Sequence, residues 1–367
     1  MVYQGDALNY IYETPDILQG ILEKEEILFR ESREILNGRE ISEIYLTGSG
    51  SSYNAAAAVC AFAKKLLGIR VIPVYPVSLM EDAEIISDQA VVLGISQQGT
   101  STAVIQALDM LREKCAAVIS VTGEYNTEIT RHGNANLYVE CGYEDAGATT
   151  KGYTATVLTL MLFVMMAAEL TGRLNVREAA AYRKRLYEMI RNMRQVIADC
   201  RPWCEKMAQE LKTSTDMIVI SGGSLRGSLL EGVLKFSETC RFPVRGYEAE
   251  EFMHGIYNSV NASTDFLYLF PADGYEVQRM MKLYEYYEAQ GNRQFAVHMP
   301  ERVSGADRDG DSGIRSLSCG FLDDPDFSAL EYMLPQQMLF VLASRARGID
   351  LNVPRDPEFH TYMKSKL

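Results

Sequence analysis

Hydroxyls and glycines crowd two short stretches of this sequence, and acids, a lysine and a histidine crowd two others. GSGSSY (48–53) sets two glycines and three serines ahead of an alanine-rich run. ISQQGTSTA (95–103) gathers Ser96, Gln97, Gln98, Thr100, Ser101 and Thr102 around Gly99. Loops of this composition, leading into helices, present backbone N–H groups and hydroxyls to an anion without needing a formal cation. A dinucleotide pyrophosphate fits poorly. Tyr53 stands where the G-x-G-x-x-G/A fingerprint needs a small residue, and the next strand-like segment ends Val74-Tyr75-Pro76 with no acid for a ribose. No G-K-[ST] follows, so this is not a Walker loop. One such loop alone reads as a helix cap, since Ser and Thr are preferred N-caps. Two of them, both at strand-to-helix junctions, favour a site for a single phosphate.

SLLEGVLKFSETC (228–240) places Glu231, Lys235 and Glu238 at i, i+4 and i+7, one face of an otherwise apolar helix. Such a stripe faces a site or an interface, or is a solvated salt-bridge ladder. EAEEFMHGIYN (248–258) follows, with His254 beside Gly255 and three acids, a setting that can tune an imidazole near neutrality. Of the other histidines, His298 sits in a strand-like run and reads as packed, and His132 lies in a turn. No second His or Cys stands near His254 at ligand spacing, so neither metal nor cofactor is expected. The 7 cysteines are scattered; Cys200 and Cys204 form a CxxxC with no second pair and read as reduced thiols. A phosphate cradle, a helical Glu and a His suit proton transfer beside the carbonyl of a sugar phosphate. The His would move a proton during ring opening, and the Glu would carry one between adjacent carbons.

The elements that must position these groups alternate. Strand-like runs at 43–48, 69–75, 90–96, 115–121 and 136–140 are separated by helical ones, after an N-terminal helix over 16–37. The order implies right-handed βαβ units and a parallel sheet covered on both faces. A second series follows a charged helix over 178–212, with strands at 216–223, 265–270, 294–299 and 313–321. The chain therefore reads as α/β with an internal duplication, residues 1–195 and 196–367. ERVSGADRDGDSG (301–313) reads as an exposed loop whose acids lack EF-hand spacing. A net charge of -13 argues against nucleic acid as a partner. The N-terminus lacks the basic start and apolar core of a signal peptide, and the apolar run 157–170 is short for a membrane span, so a cytoplasmic protein is expected.

These motifs resemble the SIS (sugar isomerase) family, and most closely the isomerase part of glucosamine-6-phosphate synthases. GSGSSYNAA (48–56) is similar to the family's CGTSYHA, ISQQGTS (95–101) to SQSGET, and GATTKGYT (147–154) to VASTKAYT. LEGVLKFSE (230–238) resembles LEGALKLKE, and EEFMHG (250–255) resembles ELKHG. The resemblance implies two tandem SIS-type three-layer αβα domains, each with a mostly parallel five-stranded sheet. It implies that Ser52, Ser96, Gln97 and Ser101 hold a sugar phosphate, with Ser51 and Gln98 beside them. Glu238 would be the proton-transfer base, Glu231 and Lys235 its neighbours, and His254 the ring-opening group, lent by the other subunit of a homodimer. In the tail PRDPEFHTYMKSKL (354–367), Lys364 best matches the family's imine-forming lysine, with Lys366 as the alternative. Gln98 replaces a family Ser, Ser101 a Thr, and Thr100 an acid. No glutaminase domain or N-terminal Cys nucleophile is seen, so glutamine-dependent amination is not expected. The implied activity is isomerisation with deamination or deglycation of an amino-sugar or fructosamine 6-phosphate; the alternative is a non-catalytic phosphosugar-binding regulator.

Overall fold

The computed structural model describes residues 3–272, 274–298 and 315–367; the acidic loop read at 301–313 lies outside them. The chain divides into two compact units, Met1–Ile190 with Asn352–Leu367, and Arg191–Leu351.

The first unit is built on five parallel strands: β1 (Glu43–Gly48), β2 (Arg70–Val74), β3 (Ala90–Ile95), β4 (Ala117–Thr122) and β5 (Ala135–Tyr138). Their spatial order is β2-β1-β3-β4-β5. β1, β3 and β4 are near-continuous apolar runs, as strands buried on both faces must be. On one face, Val92 and Val118 pack with Leu79, Val104, Leu108 and Leu111 of the helices Pro76–Glu81 and Thr102–Leu111. The helix Ser51–Leu67 packs against Lys151–Leu170, which also meets Ala7–Glu23. Lys151–Leu170 extends well before the apolar run read at 157–170 and is long and apolar enough to cross a membrane. It is buried from Lys151 to Ala168, as befits the central helix of a core. The N-terminal helix begins at Ala7 rather than 16, capped by the Asp6 carboxylate, which accepts from Leu8 N at 2.9 Å. Pro15 lies inside it, where the missing N–H would ordinarily end a helix.

The second unit repeats the plan with β6 (Asp216–Ser221), β7 (Val244–Glu248), β8 (Thr264–Leu269), β9 (Gln294–Val297) and β10 (Ser316–Leu317). All are parallel, in the order β10-β9-β8-β6-β7, the first sheet's order read from the other edge. The helix after β6, Arg226–Cys240, packs against Ser328–Ala346, much as Ser51–Leu67 packs against Lys151–Leu170. Phe236 meets Phe340 edge to face, with ring centroids 6.2 Å apart. Across the other face, Phe252, Phe266, Tyr268, Phe270, Tyr284 and Tyr287 make an aromatic core.

The boundary expected at 195/196 falls inside one continuous helix, Val176–Glu210. The tail, expected with the second half, groups with the first. Asn352 ties it there: its amide donates to Gly5 O at 2.8 Å and its side-chain oxygen accepts from Gly147 N at 3.1 Å.

Candidate functional site

In an open parallel sheet, ligands bind beyond the carboxyl ends of the strands where the order reverses. In the first unit that point lies between β1 and β3, and both hydroxyl-rich loops leave from it. After β1, Gly50 turns the chain at φ 58 and ψ -131, a conformation open chiefly to glycine, and Ser51 and Ser52 begin the helix Ser51–Leu67. Gly48 is pressed between the two loops: a methyl group there would lie 2.7 Å from Ser52 Cβ and 3.1 Å from Ile95 O.

After β3 the chain folds into a tight turn. Ser96 N donates to Val121 O at 2.9 Å, and Gly99 N donates back to Ser96 O at 2.9 Å. Ser96 Oγ accepts from Ser101 N at 3.3 Å. Ser101 holds the N-cap position of Thr102–Leu111, yet its side chain makes no capping bond, so the hydroxyl is not spent on the helix. Gln97 differs from expectation. Its side chain is turned inward, with Nε2 donating to Cys141 Sγ at 2.9 Å and Oε1 accepting from Thr156 Oγ1 at 3.3 Å. Its backbone O accepts from Gly123 N at 2.9 Å. Gln97 thereby braces the loop against its neighbours, while Gln98 is exposed.

Glu144 was not singled out by the sequence. Its carboxylate accepts from Thr149 Oγ1 (2.8 Å), Thr150 N (2.6 Å), Thr150 Oγ1 (2.6 Å) and Gly152 N (3.0 Å), sealing the N-terminus of Lys151–Leu170. An acid this far ahead of a helix matches no capping-box spacing, so only the fold reveals it. Lys151 is buried, donates to Glu13 Oε2 at 2.8 Å and lies over the Tyr10 ring.

The tail reaches the same loop. Lys364, the expected imine lysine, ends the short helix Phe359–Met363 at φ 50, and its carbonyl accepts from Thr102 Oγ1 at 3.1 Å. It is Lys366 whose ammonium meets the loop, donating to Gln98 Oε1 at 3.2 Å.

In the second unit the charged stripe is split by depth. Glu231 and Lys235 are buried, at 1% and 3% exposure, while the Glu238 side chain is 41% exposed. Lys235 Nζ lies 2.9 Å from Glu238 Oε2 and 3.9 Å from Glu231 Oε1, so one ammonium fixes an accessible carboxylate to a buried one. A carboxylate held this way can act as a positioned base. His254 is on a different element, in the turn after Ala249–Phe252, with its side chain 67% exposed. Its Nε2 is 3.7 Å from Glu250 Oε1. His298, read as a packed strand residue, stands just past the end of β9 at φ 57 and pairs with Asp323 at 3.0 Å. From the end of β6 the chain runs Ser221-Gly222-Gly223-Ser224. There Glu276 lies against Gly222, where a methyl group would meet its Cγ at 2.8 Å, and its Oε2 is buried with no hydrogen-bond partner among the described residues. All seven cysteines are free thiols, and no cluster of potential metal ligands occurs among the described residues.

Residues 39–166, which contain β1 to β5 and both hydroxyl loops, match the family model for the SIS domain. The chain carries a SIS domain. Its two like-ordered parallel sheets are consistent with two SIS domains in tandem. A protein of Clostridium difficile 630 proposed to be a phosphosugar isomerase has the same fold, at 29% identity over 99% of both chains and a TM-score of 0.87. A proposed sugar-binding protein of Salmonella typhimurium LT2 is also 29% identical, covering 92% of this chain and 99% of its own, with a TM-score of 0.79. The glutamine–fructose-6-phosphate aminotransferase (isomerizing) of Clostridium perfringens (strain 13 / Type A) is 23% identical over 96% of this chain. The match spans 58% of that aminotransferase. The fold is thus of the phosphosugar-isomerase SIS type.

Proposed function

We propose that this protein is an isomerase-type enzyme acting on an amino-sugar phosphate or a fructosamine 6-phosphate, with release of the amine. The observation that carries the reading is the pair of serine loops at the β1/β3 switch point, with a hydroxyl at the N-cap position that does not cap. Ser52, Ser96 and Ser101, with the backbone N–H groups beside them, hold the phosphate, while Gln97 keeps the loop rigid. Glu238 moves the proton between the adjacent carbons, with Lys235 fixing one of its oxygens. His254 is exposed enough to serve ring opening, in a homodimer that shares its sites. Once the double bond lies between carbon and nitrogen, water adds to that carbon and the amine leaves. The enzyme works in the cytoplasm without metal or cofactor, and the second unit is a second SIS domain.

A turnover screen over hexosamine 6-phosphates and glycated amino-acid 6-phosphates tests this, with Glu238→Gln as control. Loss of a positioned acid–base group costs about 10²- to 10⁴-fold in rate. If Glu238→Gln keeps the turnover of the parent, the base is wrongly assigned. Borohydride trapping with fructose 6-phosphate separates the routes: label on Lys364 or Lys366 supports an imine, whereas turnover of a glycated amine without label supports a deglycase. The similarity to a proposed sugar-binding protein favours one other reading, a regulator that binds a sugar phosphate without changing it. Tight binding with no turnover across the screen selects it.

A further inference from the structure

The C-terminal residues do more than approach the serine loop; their backbone joins it through an antiparallel bridge. Leu367 N donates to Thr100 O at 3.0 Å and Thr102 N donates to Ser365 O at 3.4 Å. Ser101 and Lys366 are partners in an antiparallel bridge. Thr102 Oγ1 adds a bond to Lys364 O at 3.1 Å. This pairing sets Lys366 opposite Ser101 and its ammonium on Gln98, in a loop with no charged side chain of its own. The amide oxygen of Gln98 is a weak partner for a cation, and a phosphate dianion is a far stronger one.

We propose that Lys366 is a phosphate-binding residue, delivered by a tail whose backbone is bridged to the phosphate loop. The proposal rests on the phosphate-loop reading above. Binding the phosphate draws the ammonium from Gln98 onto the ligand and tightens the tail. The tail in turn supplies a full positive charge, which neither serine loop carries. The role differs from imine formation, because it concerns the phosphate end of the substrate and no carbonyl.

Calorimetric titration with glucitol 6-phosphate separates the two roles, since that ligand carries the phosphate but cannot form an imine. Lys366→Met should weaken its binding about 10-fold or more, the usual effect of losing a hydrogen bond to a charged group. Lys366→Arg, which keeps the charge, should bind within about 3-fold of the parent, and an unchanged melting temperature shows that neither variant has unfolded. Suppose the parent binds glucitol 6-phosphate, Ser96→Ala abolishes that binding, and Lys366→Met leaves it intact. Then the tail proposal is wrong and the phosphate loop stands. If instead the parent does not bind it, or binds it regardless of Ser96→Ala, the phosphate-loop reading fails and takes this proposal with it.

Discussion

Replacing Gly99 with alanine tests the architecture of the loop after β3 more sharply than removing a hydroxyl. Gly99 sits at φ +67, and a methyl group there would lie 2.0 Å from Thr127 Oγ1 and 2.4 Å from Thr127 Cβ. Two costs follow. A left-handed backbone costs an L-residue about 1–2 kcal/mol. Forcing a methyl group into filled space costs about 1–3 kcal/mol. The sum is about 2–5 kcal/mol. In a unit of this size each 1 kcal/mol moves the melting temperature by about 2–4 °C, so a fall of roughly 5–20 °C is expected. The loop can relieve the clash only by shifting, which would displace Ser96, Ser101 and the turn bond from Gly99 N to Ser96 O. Affinity for a sugar phosphate should therefore fall as well. Thr127→Gly in the same chain removes the clash but not the strained φ, and should recover the clash share, about 1–3 kcal/mol, while leaving about 1–2 kcal/mol of loss. Thermal melts and sugar-phosphate titrations of the two variants measure this. A Gly99→Ala protein that melts and binds like the parent would refute the account of the loop.

Two further outcomes concern buried charge. Burial pushes the Glu331 carboxyl up to about 7, against the hydrogen bonds from Asn192 and Leu322 N that favour its charged form. Its folded form holds a proton more tightly than the unfolded form between pH 4.5 and about 7, so stability falls as pH rises through that window and levels off above it. The span corresponds to a few kcal/mol at most. Glu331→Gln should flatten that slope in denaturant titrations at pH 5 and pH 8, and an unchanged slope would overturn the assignment. In the first unit, Arg183 bonds to Glu25 at 2.6 and 2.7 Å and to Glu169 at 2.7 Å. Its ionised form is strongly favoured, first by the Glu25 hydrogen bonds. Arg183→Met strands the buried Glu25 carboxylate and should cost about 2–4 kcal/mol by chemical denaturation. A loss under about 0.5 kcal/mol would show the cluster to be solvated.

Much of the first unit is legible locally. β1 and β3 are short apolar runs bounded by polar or glycine-rich segments, which only a doubly covered strand tolerates, and the loops after them announce themselves by composition. What escaped had opposite causes. β7 reads VRGYE, where Arg245 and Gly246 break the apolar pattern, although Gly246 is needed because a methyl there would strike Val233 at 2.4 Å. Pro15 hid the first turns of the N-terminal helix. The depth of Gln97 and the meeting of Lys366 with Gln98, 268 residues apart, are tertiary facts that no periodicity encodes. The Glu231, Lys235, Glu238 spacing placed the three on one face, but it did not say that two would be buried and one left open.

The duplicated sheets offer the same crevice twice, with different side chains around each. One is lined by hydroxyls. In the other a glutamate of the protein's own, Glu276, stands against the glycine loop, and a carboxylate placed there would disfavour an anion. Saturation with a sugar phosphate should thus stop at a single equivalent per chain, whatever the symmetry of the architecture suggests. On that outcome the strands and helices of the second copy are a scaffold on which other groups are mounted.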